Sequence, residues 1–419
     1  MGNKKTVKVW CLGSFYDLKQ DYRSTQAIHL MKQYDFIICR KSKEYQDFVK
    51  HYSQEYKIDE SHILWYPEKY ETIDRYMKEE GYKKITELAK KNKEMQLIPT
   101  MVTPEFAEWY QLIKAIVKCQ KIKCRLTYSG ENMDWMALWS KKSILYPNWN
   151  KKNPDQKSPL QETIPDIEKI LNKGYICHSK KEVKEVFEHF ENSPIVIKEI
   201  ESCGGDGIIF IKKHEEIDKL NNSSLLSMCI VEKDLNYCNE NADENADENA
   251  DENLLFTSVL YKKSKVIDKP YLQLFSSQSA YCGARSLKHN KSKEISEWAE
   301  KIVAALHAKG RGGFDFCIKG DNLYLIDVNT ARFNGTHIGL ELKQKEKYRY
   351  FYQYRKYFKT PIEFKDLKPT LEKNKNVKII YFTPNEIQIV IYSNSQDDEK
   401  NFKKLSKILF LDIKNKDQE

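Results

Sequence analysis

The sequence predicts an α/β protein with a parallel sheet at the amino terminus, an α+β region in the middle and a small α+β extension at the end. Short apolar runs at residues 6–12 and 34–39 indicate strands, and each is followed by a helical pattern. This alternation favours a parallel sheet. A chain of 419 residues is long enough for more than one hydrophobic core. We therefore expect three domains, at residues 1–140, 141–340 and 341–419.

Two helices carry clear start or stop signals. Thr103 and Pro104 stand where an N-cap and a first helical residue would be, ahead of an apolar face made of Phe106, Trp109, Tyr110, Ile113, Ile116 and Val117. Residues 295–306 follow a second helical period, and we expect Gly310 to end it in the position after the C-cap. Two strand-like runs, 377–383 and 386–393, lie in the expected extension.

The composition excludes several classes of protein. Charged residues make up 31% of the chain, and the net charge of +9 is spread over mixed Lys and Glu, which favours a solvated surface over a nucleic-acid-binding one. The chain has no run of about 18 apolar residues, so the sequence predicts no transmembrane segment. The 10 cysteines show neither zinc-site nor disulfide spacing, as expected of thiols in a reducing compartment. We expect a cytoplasmic protein.

Two further segments stand apart. Residues 1–6 fit the Met-Gly-x-x-x-Thr pattern, so Gly2 is a candidate for N-myristoylation, although so short a pattern recurs by chance. The motif Asn-Ala-Asp-Glu is repeated in tandem over residues 241–252. Because this stretch holds no large apolar residue and lacks the glycine and ligand positions of an EF-hand, we predict a disordered insertion over 239–253.

A first candidate motif joins a lysine to a glycine-rich turn. Residues 195–198 are an apolar run ending in Lys198, and Gly204, Gly205 and Gly207 follow. A lysine at a strand end can contact phosphate, and glycines let backbone N–H groups approach the oxygens. By itself the motif is equally typical of a glycine turn between two hairpin strands.

A second motif brings together carboxylate and amide oxygens. Asp315 lies in Gly-Phe-Asp-Phe, and Asp327 and Asn329 lie two apart on the next strand-like run. A strand repeats every two residues, so Asp327 and Asn329 share a face. Magnesium prefers such oxygens and leaves positions for substrate phosphates. The alternative is a polar strand end at a turn. Arg332 follows and can stabilise charge on a transferred phosphoryl group.

Between the two motifs lies a third run, residues 228–235, in which an apolar strand ends in charges. Such a strand can offer backbone groups to an adenine edge, or it can be an ordinary buried strand. Taken in order, these motifs resemble the ATP-grasp ligases, whose pattern is strand-lysine, glycine-rich loop, Val-Glu-Glu hinge, Gly-x-Asp-Phe and Glu-x-Asn-x-Arg. The resemblance covers about residues 175–340.

The resemblance implies a fold, a cofactor and a set of site residues. It implies an amino-terminal pre-ATP-grasp domain, a two-lobed ATP-grasp domain and bound ATP with Mg²⁺, for which Mn²⁺ can substitute. Lys198 and Lys141, or its neighbour Lys142, would contact ATP. The resemblance further implies roles for a loop (Gly204, Gly205, Gly207), an adenine hinge (Val231, Glu232), a set of metal ligands (Asp315, Asp327, Asn329) and a catalytic residue (Arg332).

The chain departs from the family pattern at two residues, and the acidic repeat interrupts the region that normally supplies the ribose-binding acid. Asp327 replaces the usual glutamate, and Lys233 replaces the second hinge acid. The amino-terminal part is similar to that of pheganomycin-type peptide ligases, on the segments 37–48 and 97–105. The resemblance implies an ATP-dependent ligase that converts a carboxylate to an acylphosphate and joins it to an amine. Two alternatives stay open: an ATP-grasp small-molecule kinase, and a nucleotide-binding scaffold without catalysis.

Overall fold

The structure is a computed structural model, and all statements below concern the residues that it describes: 6–11, 23–70, 72–100, 102–131, 135, 142–200, 207–220, 228–235, 254–275, 281–330 and 335–395. These residues form two compact units. The first comprises residues 1–133, 283–286 and 331–419, and the second comprises residues 134–282 and 287–330. Gly2 and the acidic repeat lie outside the described residues.

The first unit opens with a five-stranded parallel sheet in the order β3-β2-β1-β4-β5. Its strands are β1 (Val7–Cys11), β2 (Phe36–Arg40), β3 (Ile63–Tyr66), β4 (Glu94–Pro99) and β5 (Arg125–Tyr128). The helices between them are α1 (Arg23–Gln26), α2 (Lys43–Tyr56), α3 (Ile73–Tyr76), α4 (Tyr82–Lys91) and α5 (Pro104–Cys119). At the start of α5, Thr103 accepts a hydrogen bond from the Phe106 amide, and Pro104 lies in the first turn. The predicted cap is confirmed.

The second unit contains two antiparallel sheets. The smaller, in the order β6-β9-β7-β8, is built from β6 (Gly174–Cys177), β7 (Ile195–Glu199), β8 (Ile208–Ile211) and β9 (Cys229–Lys233). The larger runs β15-β14-β10-β12 and is built from β10 (Leu254–Lys262), β11 (Lys265–Val266, paired with β10), β12 (Tyr271–Phe275), β14 (Arg311–Lys319) and β15 (Asn322–Asn329). Strand β13 (Tyr281–Ser286) contains the unit boundary.

Helices cover both of these sheets. They are α6 (Pro159–Thr163), α7 (Lys180–His189), α8 (His214–Lys219) and α9 (Ser292–Ala305). Val183, Val186 and Phe187 of α7 pack on one face of the smaller sheet, against Ile195, Ile197 and Val231. Helix α9 ends earlier than predicted: Leu306 is its C-cap and His307 adopts a positive φ of 52°. The prediction that Gly310 ends the helix is therefore wrong.

The last part of the chain returns to the first unit. It comprises α10 (Gly335–Lys345), β16 (Tyr350–Tyr357), α11 (Phe364–Lys373), β17 (Val377–Thr383) and β18 (Glu386–Ser393). Strand β18 pairs with both β16 and β17, and β13 pairs with β16 through residues 283–285. The two predicted strands are confirmed. None of the described helices is long and apolar enough to cross a membrane.

Candidate functional site

The predicted lysine lies on the smaller sheet of the second unit, on the face that does not pack against α7. In the β7–β9 register Lys198 is opposite Ile230 and Val196 is opposite Glu232. Since side chains alternate along a strand, Lys198 and Glu232 share one face and are diagonal neighbours. The other face packs against α7. The charged pair is therefore on the side of the sheet that faces away from α7.

Lys198 and Glu232 form a close ion pair. The ammonium nitrogen lies 2.8 Å from both carboxylate oxygens of Glu232, and only 16% and 4% of the two side chains are exposed. Asn172 donates to Glu232 Oε2 at 3.4 Å and to the Lys233 carbonyl at 2.8 Å. Charge-assisted hydrogen bonds with little water access are strong. The lysine predicted to bind phosphate is thus held by Glu232, the residue predicted to belong to the adenine hinge.

The turn after β7 needs glycine at Gly207. This residue has φ of +71°, a left-handed conformation that L side chains rarely adopt. Its carbonyl accepts a hydrogen bond from the Glu199 amide at 3.0 Å. Strands β7 and β8 are joined as an antiparallel hairpin, as predicted. Gly204 and Gly205 lie outside the described residues.

Val231 faces away from the ion pair. It is fully buried and belongs to the hydrophobic core between the smaller sheet and α7. A contact between Val231 and a nucleotide base would therefore come from its backbone, because its side chain is on the far face of the sheet.

The second candidate motif lies on the larger sheet of the same unit. Strands β14 and β15 are antiparallel, with Asp315 opposite Asp327 and Gly313 opposite Asn329. Val328 is buried, as expected for the residue between two that point the other way. The predicted adjacency of the three polar residues is confirmed.

The two carboxylates converge on the amide of Asn329. Asn329 Nδ2 donates to Asp315 Oδ2 at 2.9 Å and to Asp327 Oδ2 at 3.3 Å. The remaining oxygens are engaged elsewhere: Asp315 Oδ1 accepts from the Ser258 hydroxyl, and Asp327 Oδ1 accepts from the Val328 amide at 2.8 Å. The partly positive NH2 group of Asn329 thus lies between the carboxylates of Asp315 and Asp327.

This donor set fits magnesium. Two carboxylate oxygens already face a common point, and rotation of the Asn329 amide by half a turn would add its oxygen to them. The described residues contain no cluster of three His, Cys, Asp or Glu side chains placed to hold a metal. A site with two carboxylates and an amide suits a cation that takes its other ligands from phosphate and water.

The surroundings of Asp315 favour its protonated form when no cation is present. Burial and the neighbouring Asp327 carboxylate raise the pKa of Asp315 to about 7, against the hydrogen bond from Ser258, which lowers it. Gln273 donates to the Ser258 hydroxyl and so fixes its orientation. A bound cation would favour the charged form of Asp315.

Lys142 links this set to the segment before β6. Its ammonium lies 3.6 Å from Asp327 Oδ2, and 14% of the Lys142 side chain is exposed. It begins a short 3-10 turn, Lys142–Leu145. Lys141, the alternative in the sequence, lies outside the described residues, as does Arg332. Their roles stay predictions.

Four polar residues near the site were not predicted from the sequence: Tyr146, Asn172, Ser258 and Gln273. Ser258 lies opposite Asp315 in the β10–β14 register, so a prediction of that pairing would have found it. Tyr146 follows the Lys142 turn and is buried. In the sequence it is one of many tyrosines, and only the fold places it here.

The comparisons with known proteins agree with this arrangement. Residues 255–336 match the family model of the ATP-grasp domain, and this segment includes Asp315, Asp327 and Asn329. No curated protein matches the sequence. The ATP-grasp match covers the larger sheet of the second unit and ends shortly after β15.

Several solved structures match nearly the whole chain. Biotin carboxylase from Campylobacter jejuni, a β,γ-ATP complex, has a TM-score of 0.58 at 13% identity, over 94% of this chain and 89% of that one. An ADP complex of N5-carboxyaminoimidazole ribonucleotide synthetase has a TM-score of 0.57 at 9% identity, over 97% and 96%. The biotin carboxylase domain of Hydrogenobacter thermophilus 2-oxoglutarate carboxylase, with MgADP and bicarbonate, has a TM-score of 0.52 at 12% identity, over 92% and 86%.

At such identities the likeness shows the fold. The chain has the ATP-grasp architecture: a parallel five-stranded α/β sheet at the amino terminus, followed by antiparallel sheets. The predicted fold class is confirmed.

Proposed function

We propose that this protein is an ATP- and Mg²⁺-dependent ligase that activates a carboxylate as an acylphosphate and joins it to an amine. The observation that supports it most is the convergence of Asp315 Oδ2 and Asp327 Oδ2 on Asn329 Nδ2, at 2.9 and 3.3 Å. The same compact unit also carries the buried Lys198–Glu232 pair. Together they supply a cation site and a phosphate-binding lysine.

Each residue has a role in this scheme. Asp315, Asp327 and Asn329 hold magnesium, which neutralises phosphate charge when it is bound. Lys198 contacts an ATP phosphate, and the backbone around Glu232 receives the adenine edge. We assign to Arg332 the stabilisation of the phosphoryl group during its transfer. We assign Gly204, Gly205 and Gly207 to the loop that covers the phosphates.

The chemistry is a pair of displacements. A carboxylate oxygen attacks the γ-phosphorus of ATP, the bond to the β–γ bridging oxygen breaks and ADP leaves. The amine nitrogen then attacks the acyl carbon, phosphate leaves and the amine loses a proton. The protein contributes positions and fixed charges more than covalent chemistry.

The identity of the acid and the amine is a narrower proposal. The similarity to pheganomycin-type peptide ligases favours an amino acid or peptide. Bicarbonate is the anion in the complex of the Hydrogenobacter thermophilus enzyme, so it belongs in any screen beside the carboxylates. The domain boundaries at residues 140 and 340 are likewise part of this proposal.

Phosphate release tests the proposed function. The purified chain is mixed with ATP, Mg²⁺ and a panel of carboxylates and amines, bicarbonate included, and products are identified by mass spectrometry. Asp315→Ala and Asn329→Ala should abolish release, whereas Asp321→Ala, at the exposed turn of the same hairpin, should leave it unchanged. Full turnover in both site variants contradicts the metal assignment. A phosphorylated product without free phosphate would identify a kinase, and nucleotide binding without any turnover would identify a scaffold.

A further inference from the structure

Tyr146 lies against the hinge residue Glu232. Its ring covers Gly174, where an added Cβ would come within 2.8 Å of the ring carbon Cε1. Gly174 is the register partner of Glu232 across β6 and β9, so the two positions share a face. Tyr146 also follows the turn that begins with Lys142, whose ammonium contacts Asp327. The hydroxyl therefore stands between the two halves of the site.

Two buried polar atoms lie close together here, Tyr146 Oη and Glu232 Oε1, and the oxygen of Glu232 has the Lys198 ammonium 2.8 Å away. Among the residues that the structure describes, neither Tyr146 Oη nor Glu232 Oε1 makes a hydrogen bond of acceptable geometry, and the two residues are only 2% and 3% exposed. Burial, and then the Glu232 carboxylate, raise the pKa of Tyr146 well above its ordinary range. Its hydroxyl stays protonated and remains available as a donor. A buried carboxylate oxygen that loses its charged neighbour is costly unless another donor replaces it.

Glu232 depends on Lys198 at one of its two oxygens. Oε2 keeps Asn172 as a second donor, at 3.4 Å, whereas Oε1 has Lys198 at 2.8 Å as its close charged neighbour. If Lys198 turns to a nucleotide phosphate, Oε1 is left buried with its charge unshared. The nearby protonated hydroxyl of Tyr146 can then take the place of the ammonium.

We propose that Tyr146 is a positioning residue that donates to Glu232 Oε1 when Lys198 leaves it for a nucleotide phosphate. The exchange keeps the Glu232 carboxylate ionised and fixed, and with it the strand that carries the hinge. This inference rests on the proposed nucleotide site and deepens it.

Binding of Mg-ADP to three forms of the full chain tests the exchange. Tyr146→Phe removes only the hydroxyl. The matched control, Tyr175→Phe, removes a buried hydroxyl from the other face of the same sheet, where Tyr175 donates to the Pro154 carbonyl at 3.0 Å. By calorimetry, Tyr146→Phe should raise the Kd about tenfold, the effect typical of a charge-assisted hydrogen bond. Tyr175→Phe should bind like the wild type.

A double-mutant cycle separates positioning from packing. In a Glu232→Gln background the carboxylate charge is gone, so Tyr146→Phe should raise the Kd by less than about twofold. In turnover assays Tyr146→Phe should raise the KM for ATP and leave kcat nearly unchanged. A loss that is equal in both backgrounds would show a packing role and overturn the proposal.

The wild-type complex gives a readout that needs no variant. In a structure with Mg-ADP, Tyr146 Oη should lie about 3 Å from Glu232 Oε1, with Lys198 on a phosphate. A Lys198 still paired with Glu232 would overturn the exchange, as would equal Mg-ADP affinity in wild type and Tyr146→Phe. If the wild type itself fails to bind Mg-ADP, the proposed function is overturned, and the positioning role with it.

Discussion

His29 makes the stability of the first unit depend on pH. Its Nε2 lies 2.8 Å from the Ile379 carbonyl on β17. A carbonyl only accepts, so Nε2 carries the proton, and Nδ1 accepts from the Tyr56 hydroxyl at 3.0 Å. The ring is fully buried, with the Tyr52 ring 4.3 Å away. The fold thus requires the neutral imidazole.

The size of the effect follows from the pKa of His29. Burial lowers this pKa from 6.5 to about 3. Below pH 6.5 His29 is protonated in the unfolded chain but stays neutral in the folded chain. The free energy of unfolding therefore falls as pH falls from 6.5 towards 3. From pH 7 to pH 5 the loss is about 2 kcal/mol. At pH 5 almost no folded protein is protonated at His29, so the loss is set by proton uptake in the unfolded chain.

Urea unfolding at pH 7 and pH 5 measures the loss, and hydrogen exchange of β17 locates it in the first unit. His29→Gln keeps a neutral donor for the Ile379 carbonyl, so the difference between the two pH values should shrink by about 2 kcal/mol relative to wild type. Tyr56→Phe removes the partner of Nδ1 and keeps the imidazole, so its pH dependence should match that of wild type. An equal pH dependence in His29→Gln and wild type would refute the reasoning.

Three further predictions concern the second unit. Gly320→Ala, at a positive φ with no neighbour within 4 Å, should lower the free energy of unfolding by about 1–2 kcal/mol. Gly207→Ala should cost more in calorimetric melting, because its positive φ is joined by a contact of 2.9 Å between the added Cβ and Glu199 Cγ. Lys198→Met should cost about 3 kcal/mol in urea unfolding by removing the ammonium that pairs with the buried Glu232 carboxylate, and adding Glu232→Leu should recover most of it; no recovery would show that the pair is not the cause. Because burial and the Asp327 carboxylate raise the pKa of Asp315 to about 7, the Kd for Mg-ADP should fall about tenfold from pH 6 to pH 8, and a flat calorimetric profile would contradict that shift.

Local sequence signals predicted much of the fold. The cap of α5 depends on Thr103 and Pro104 alone, and the alternation of residues 327–329 was enough to put Asp327 and Asn329 on one face. Such signals act within a few residues, so they can be recognised without the rest of the chain. The end of α9 shows their limit, because His307 adopts the positive φ that a glycine was expected to supply.

Contacts between distant residues could not be predicted in this way. The hydrogen bond between His29 and Ile379 joins residues 350 positions apart, and no local pattern indicates that the last strands belong to the first unit. The Lys198–Glu232 pair depends on the register of β7 and β9. A shift of one residue would have put Glu232 in the core.

The position of the Tyr146 ring depends on the absence of a side chain at Gly174. Its ring fits only because Gly174 has no Cβ, a steric relation between two segments that no pattern in either of them reveals. Interior packing sets such contacts residue by residue. This is why the proximity of Asp315, Asp327 and Asn329 could be predicted and the residues packed around them could not.

The central claim is that Asp315, Asp327 and Asn329 bind the metal of a nucleotide complex. Crystals grown with Mn²⁺ and a non-hydrolysable ATP analogue test it directly, through the anomalous signal of manganese. The account predicts a peak about 2.0–2.3 Å from Asp315 Oδ2 and Asp327 Oδ2, with the Asn329 amide oxygen turned towards it. Nucleotide density with no anomalous peak at these residues would contradict it.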